Sequence, residues 1–209
     1  MQLFRNRSLQ RLAGLPIDLF GETLWASHKP QNALVIKKAD VAIRPYAEDD
    51  LRILERTLTD PRMMNHLGGP ENDDKLRGRH KKFVAMSLDP SLGCMFVIVA
   101  GGEDVGTVGY WERDQEGGVV WETGWMVVPE FQRRGIATES MQLLIKNVAQ
   151  LDRHRYLYAF PSVENLPSNA ICRRLGFELE KEEAFEYPPG SGKVMRCNNW
   201  RLDLSTRET

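Results

Sequence analysis

Two stretches of this 209-residue chain combine residue types and spacings that can do chemistry. The first is Gln132-Arg133-Arg134-Gly135-Ile136-Ala137, which follows an apolar run of β character, Trp125 to Val128, and then Pro129. A strand ending near Val128 and a helix starting near Ile136 leave the amides of residues 133 to 138 at a helix N-terminus, without acceptors inside the helix. Such a turn binds anions, because its N–H groups converge and Gly135 lets a phosphate approach the backbone. Arg133 and Arg134 bring two cations that can be aimed at phosphate oxygens. Each contact of an anion with a helix end is worth about 0.3–2 kcal/mol, so useful affinity needs several together. The same six residues also fit a tight connection carrying two solvated arginines. The second stretch, Asn165 to Phe177 (NLPSNAICRRLGF), brings a carboxamide and a hydroxyl to a short helix.

The elements that must position these stretches are legible from periodicity and turn signals. Val41 and Ile43 alternate as a first strand, and Asp49 or Asp50 can cap a helix carrying Leu51, Leu54 and Leu58. A loop with breakers, MMNHLGGPENDD, precedes a second helix through KLRGRHKKFVAMSL. Three strands follow, CMFVIVA, VGTVGYWER and VVWETGWMVV, separated by GGED and DQEGG, an antiparallel meander. After the junction, Ala137, Met141, Leu144, Ile145, Val148 and Leu151 fall on one helical face. YLYAF is a further strand, SNAICRRLGF a short helix with Gly176 as its C′ residue, and EAFEY and RCNNWRLDL form a closing hairpin joined by PPGSGK. The order β-α-α-β-β-β-α-β-α-β-β predicts an α+β domain around a central sheet. It spans residues 39–205, after an N-terminal extension, 1–38, in which RSLQRLAGL suits an amphipathic helix and WASHKPQNA a linker.

Together the two stretches resemble motifs A and B of the GNAT superfamily, the acyl-CoA-dependent N-acyltransferases. Motif A there reads Q/R-x-x-G-x-G/A, matched by Gln132 to Ala137, with Ala137 where Gly is common. Motif B of the RimJ/RimL-type branch, which acetylates ribosomal-protein N-termini, reads N-x-x-S, an amphipathic turn and L-G-F. Asn165, Ser168 and Leu175-Gly176-Phe177 match it. IRPYAEDD at the opening and GIATES in the main helix are similar to that branch too, and the resemblance covers residues 40 to 204 in element order.

The resemblance implies the GNAT fold, a mixed, mostly antiparallel central sheet flanked by helices, and acetyl-CoA as acyl donor without a metal. It implies that the strand before motif A splays from its parallel neighbour. The pantetheine arm then pairs with backbone groups of Trp125, Met126 and Val127, and the amides of Arg133, Arg134, Gly135, Ile136, Ala137 and Thr138 hold the pyrophosphate. Asn165, with one acceptor and two donors, suits a bridge to a pantetheine amide, and equally a helix cap.

Acetyl transfer needs an amine lone pair, a polarised thioester and a proton for the departing thiolate. A lysine-like amine is only about one part in 10³ neutral at pH 7, an α-amine about a tenth. Glu122 occupies the strand position of the general base in histone-acetylating members, and Trp121 and Trp125 can raise its pKa by desolvation. A solvated carboxylate on a strand face is the plain alternative. The strand before motif B offers only Phe160 in place of a base. Many members carry a Tyr acid where this chain has Cys172, a departure that shifts the acid role to Ser168, as proposed for RimL-type members. Ser168 also suits an N-cap. Cys172, flanked by apolar residues, reads as packed core rather than nucleophile.

Composition bounds the rest. A formal net charge of −1 sets up no field that recruits nucleic acid or an anionic membrane. The three cysteines, odd in number and widely spaced, build no disulfide frame, which suits a reducing cytoplasm. No apolar run is long enough to span a membrane. His28, His66, His80 and His154 have no ligand spacing, so no metal site is expected. The basic run KLRGRHKK reads as a solvated helix face ahead of a surface for RNA or coenzyme phosphates, and HLGGPENDD lacks the ending of a phosphate-binding P-loop. By the resemblance the loop between the first two helices borders the acceptor cleft, which offers Asn72, Asp73 and Asp74 to a cationic substrate. Trp111, Trp121 and Trp125 lie on strands that present alternate residues to opposite faces, as core or as cleft lining. The expected reaction is acetylation of a primary amine, a protein N-terminus or a small molecule such as an antibiotic, with a non-catalytic acyl-CoA-binding module as the alternative. A homodimer stays open.

Overall fold

Eight strands form one sheet in the order β1-β2-β3-β4-β5-β6-β8-β7 in the computed structural model, which describes residues 36–38, 40–90, 93–186, 192 and 194–206. The strands are β1 (Ile36–Lys38), β2 (Val41–Pro45), β3 (Gly93–Ala100), β4 (Glu103–Gln115), β5 (Gly118–Val127), β6 (Tyr156–Ala159), β7 (Glu178–Glu186) and β8 (Val194–Asp203). Every pairing is antiparallel except β5 with β6. Among the described residues five helices accompany them: α1 (Leu51–Leu58), the single turn α2 (Pro61–Met64), α3 (Asp73–Leu88), α4 (Ile136–Ala149) and α5 (Leu166–Arg174).

The expected meander is β3-β4-β5, turned at Ala100↔Glu103 and Gln115↔Gly118. Met141, Leu144, Ile145 and Val148 are buried on α4, with Ala137 and Leu151 packed against the core from its margins. Burying each such large side chain contributes about 1.5–3 kcal/mol. Trp111, Trp121, Tyr110 and Leu157 fill the sheet centre. The α5 helix closes on Gly176 at φ 80°, with Gly176 N–H donating to Arg173 O and Phe177 N–H to Cys172 O. This left-handed closure needs glycine.

Three boundaries differ from the sequence reading. Ile36–Lys38 pairs with β2, so the sheet begins ahead of residue 39; the helix and linker expected further upstream lie outside the described residues, as does most of the PPGSGK join. Asp50 precedes α1 without capping it, because its carboxylate is taken by Arg44 and by the Ala47 N–H at 2.8 Å. α5 starts at Leu166, two residues before Ser168, because Asn165 supplies the cap.

Candidate functional site

The one parallel pairing among the described residues is short. β5 and β6 are in register at Trp121↔Leu157 and Glu122↔Tyr158 and then part, while β5 runs on to Val127. A solvent-open cleft of about 500 Å³ lies at this parting. Its walls are residues 122–125 of β5, residues 159–162 at the end of β6, Asn165 and Ser168 of the α5 turn, and His66 and Leu67 from the loop after α2. Glu122, Trp125, Asn165 and Ser168, expected from the sequence at one site, are thus brought together.

Register decides which backbone groups face the gap. Val128 N–H donates to Val105 O, and Val127 lies opposite Gly106, so hydrogen-bonded and non-bonded pairs alternate from there. Trp125 and Val127 turn their N–H and C=O groups away from β4 toward the parting. Met126 does not share that edge: its backbone faces Thr107 in the ladder, which corrects the expectation that three successive residues serve. The Val127 carbonyl already accepts from Gln132 Nε2 at 2.9 Å, leaving its N–H toward the gap.

Beyond β5 a 3-10 turn, Pro129–Phe131, leads into the junction. Gly135 caps α4 at φ 81°, and the first helical hydrogen bond runs from Glu139 N to Gly135 O at 3.0 Å. The amides of Ile136, Ala137 and Thr138 therefore have no acceptor within the helix. A Cβ on Gly135 would meet nothing within 4 Å, so the backbone there is open to an approaching group. Arg133 holds a positive φ of 61°, a conformation costing about 1–2 kcal/mol for a residue with a Cβ. Strain of this kind collects at ligand clamps. The two arginines differ in availability. Arg134 donates to Glu130 O at 2.8 Å and lies 4.9 Å over the Phe131 ring, folded back on its own turn. Arg133 is exposed.

Glu122 is not the solvated carboxylate of the plain alternative. It is 2% exposed and accepts from Arg113 Nη1 at 2.9 Å. Burial pushes its pKa up, while the guanidinium opposes the rise. Arg113 in turn lies 4.0 Å over the ring of Phe160, which stacks on Tyr158. Asn165 does cap α5, its Oδ1 accepting from Ser168 N at 3.1 Å, but the cap makes no use of the two Nδ2 donors. Ser168 is accordingly in the first turn of the helix and not its cap, half-buried at the cleft.

Other expectations resolve differently. Cys172 is fully buried and its thiol is pushed up to about 12 by desolvation, which makes it packed core. Asn72, Asp73 and Asp74 do not line the cleft: Asn72 Oδ1 caps α3 through Lys75 N, and the two aspartates are exposed in that helix's first turn, where carboxylates favour the dipole. Trp111 and Trp121 are core, and Trp125 is the tryptophan at the cleft. His80 is held by Tyr46 OH at 2.8 Å and His154 by Glu112 at 2.8 Å. Among the described residues no three His, Cys, Asp or Glu side chains are placed to hold a metal, and no helix is long and apolar enough to cross a membrane.

Sequence reasoning missed His66, Leu67, Arg113 and Asn169. Arg113 was within reach: counting back from the β4–β5 turn puts it diagonally across from Glu122 on the same face. Nothing in the local pattern marks the loop residues or Asn169.

Residues 40–178 match the family described as "Acetyltransferase (GNAT) domain". No curated protein matches the chain. Among solved structures, an acetyltransferase of the GNAT family from Bacillus anthracis aligns with TM-score 0.67 and 19% identity, covering 82% of this chain and 99% of that one. The ribosomal L7/L12 α-N-protein acetyltransferase RimL in complex with coenzyme A aligns with TM-score 0.67 and 19% identity, over 81% and 97%. The microcin C7 self-immunity acetyltransferase MccE, in complex with acetyl-CoA and AMP, aligns with TM-score 0.64 and 17% identity, over 79% and 93%.

Proposed function

Because the chain belongs to the GNAT acetyltransferase family, we propose that it transfers acetyl from acetyl-CoA to a primary amine of low positive charge, an α-amino group above all, by direct attack. The observation that carries this reading is the cleft where β5 and β6 part, bounded by Glu122, Trp125, Asn165 and Ser168 and followed by the open turn at Gly135. The residues fit the coenzyme. The edge groups of Trp125 and the N–H of Val127 suit the pantetheine amides, the amides of 136–138 and the bare backbone at Gly135 suit the diphosphate, and the Asn165 Nδ2 donors suit a pantetheine carbonyl. Arg133 suits a phosphate oxygen, and Arg134 stiffens the turn. The bound coenzyme supplies the acyl thioester.

The amine nitrogen forms its bond to the carbonyl carbon as the C–S bond breaks. Glu122 takes the proton lost by nitrogen, and the Ser168 hydroxyl passes one to the departing sulfur; Ser168 regains a proton from solvent and Glu122 gives its own up to solvent, which restores both groups. The raised pKa of Glu122 favours the first transfer, and the Arg113 guanidinium opposes the rise. Acceptor choice follows from charge. Glu122 is the one carboxylate among the cleft residues described, and it is already paired with Arg113, so the site carries no surplus negative charge for a polycation. An α-amine, about a tenth neutral at pH 7, asks least of such a base.

Thiol release by the full chain with acetyl-CoA, over peptides with free N-termini and small amines, tests the proposal. Turnover with α-amines is expected. Binding of acetyl-CoA without turnover on any amine would leave only a coenzyme-binding module. Glu122→Gln should lose more activity at about pH 6–7, where the amine is protonated, than at about pH 9. An equal loss at every pH would remove Glu122 as the base.

A further inference from the structure

One buried side chain outside the expected site bonds to the cleft wall on one side and to β8 on the other. Asn169, 2% exposed, sits one turn after Asn165 on α5. Its Nδ2 donates to Ser162 O at 2.9 Å and to Asn165 O at 2.8 Å. Its Oδ1 accepts from Asn198 Nδ2 at 2.7 Å and from Trp200 Nε1 at 2.8 Å. Both donors and both acceptor sites are used, a set that only a carboxamide can supply.

The partners fall into two groups. Asn198 and Trp200 belong to β8, whereas Ser162 and Asn165 line the cleft. The connection between β6 and α5 is irregular and has no full ladder of its own. Val163 N–H to Arg196 O and Asn198 N–H to Pro161 O, each at 3.0 Å, lay it along β8, and Asn169 closes its far end. The Asn165 carbonyl receives the Asn169 N–H as well as Nδ2, while its side chain receives Ser168 N–H. Asn165 is thereby gripped at both its backbone and its Oδ1, which fixes the direction of its remaining donors.

We propose that Asn169 is a positioning residue for the coenzyme, transmitting the rigidity of β8 through Ser162 and Asn165 to the wall on which the pantetheine arm rests. The inference depends on the acetyl-CoA reading above. Its signature is a loss of coenzyme affinity in folded protein, caused by changes at residues that do not themselves line the cleft.

The experiment measures acetyl-CoA binding and steady-state KM and kcat for the full chain, Asn169→Leu and Trp200→Phe, with thermal unfolding alongside. Asn169→Leu should raise KM for acetyl-CoA about tenfold or more, since small misplacements at a binding wall are felt strongly. The KM for the amine should move less. Trp200→Phe removes a single donor on β8, away from the cleft, and should raise the same KM a few-fold; it carries the test if Asn169→Leu does not fold. Folded variants that lose thermal stability yet bind acetyl-CoA like wild type would make Asn169 merely structural and overturn the inference. Wild-type protein that binds no acetyl-CoA would instead overturn the function proposed above, and this inference with it.

Discussion

The turn beyond β5 and the cleft wall are built by opposite means. The Gln132–Ala137 turn uses backbone: positive φ at Arg133 and Gly135, open amides at 136–138, and mostly exposed side chains. The cleft wall uses buried side chains: the Glu122–Arg113 pair, and the Asn169 carboxamide, which holds the Asn165 carbonyl and reaches Trp200 on β8. A site made from backbone tolerates most substitutions and fails mainly where conformation demands glycine. A site made from buried polar side chains fails at any member, because each loss leaves another group unsatisfied.

Substitutions in the two regions should therefore differ in kind. The largest effect is expected at Arg113→Met, which leaves Glu122 buried without its cation and costs about 3–5 kcal/mol of stability. The pH dependence has a definite sign. With its folded pKa raised above the usual carboxylate value, Glu122 contributes stability that is fully present below that value and lost as pH rises through the folded pKa. Denaturant unfolding of Arg113→Met should show a larger deficit at about pH 8 than at about pH 5. A deficit independent of pH would mean that the pair is not what holds this wall together.

Next in size is Gly135→Ala. No clash awaits the methyl group, but the left-handed conformation becomes unfavourable by about 1–2 kcal/mol. The free turn then relaxes, and calorimetry should find acetyl-CoA binding weakened by up to about tenfold. Asn165→Asp separates two roles that Asn165 combines. Aspartate caps a helix as well as asparagine, so thermal stability should stay within about 0.5 kcal/mol, while loss of the Nδ2 donors raises KM for acetyl-CoA. If stability falls and KM does not, capping is its only role. The smallest effect is expected at Arg134→Ala. Its guanidinium is engaged with Glu130 O and Phe131, so KM should change less than about twofold at ordinary ionic strength.

The same contrast explains what the amino-acid order revealed. The meander, the α4 face and the turn at Gly135 follow from signals a few residues apart: DQEGG sets a hairpin, Met141 to Val148 repeats at helical spacing, and Gly135 stands at a strand-to-helix change. Asn165 and Ser168 were found through a motif, which did not say which of them caps the helix. Met126 was misassigned because a motif names positions without saying which way their backbone groups point; that needs the pairing with Thr107. Asn72 to Asp74 were assigned to the acceptor cleft by analogy, although an Asn followed by two aspartates is itself a helix-start signal. The bond from Asn169 to Trp200 spans 31 residues and crosses from helix to strand. No local pattern encodes it.

The central claim is that the parted strands and the Gly135 turn hold the pantetheine and diphosphate of the coenzyme. Calorimetric titration of the full chain with coenzyme A, and separately with pantetheine, addresses it directly. Saturable binding of coenzyme A, with pantetheine weaker by more than about tenfold for want of the diphosphate contacts, is the predicted result. Equal affinity for the two would contradict the role of the turn, and no heat with either would contradict the site.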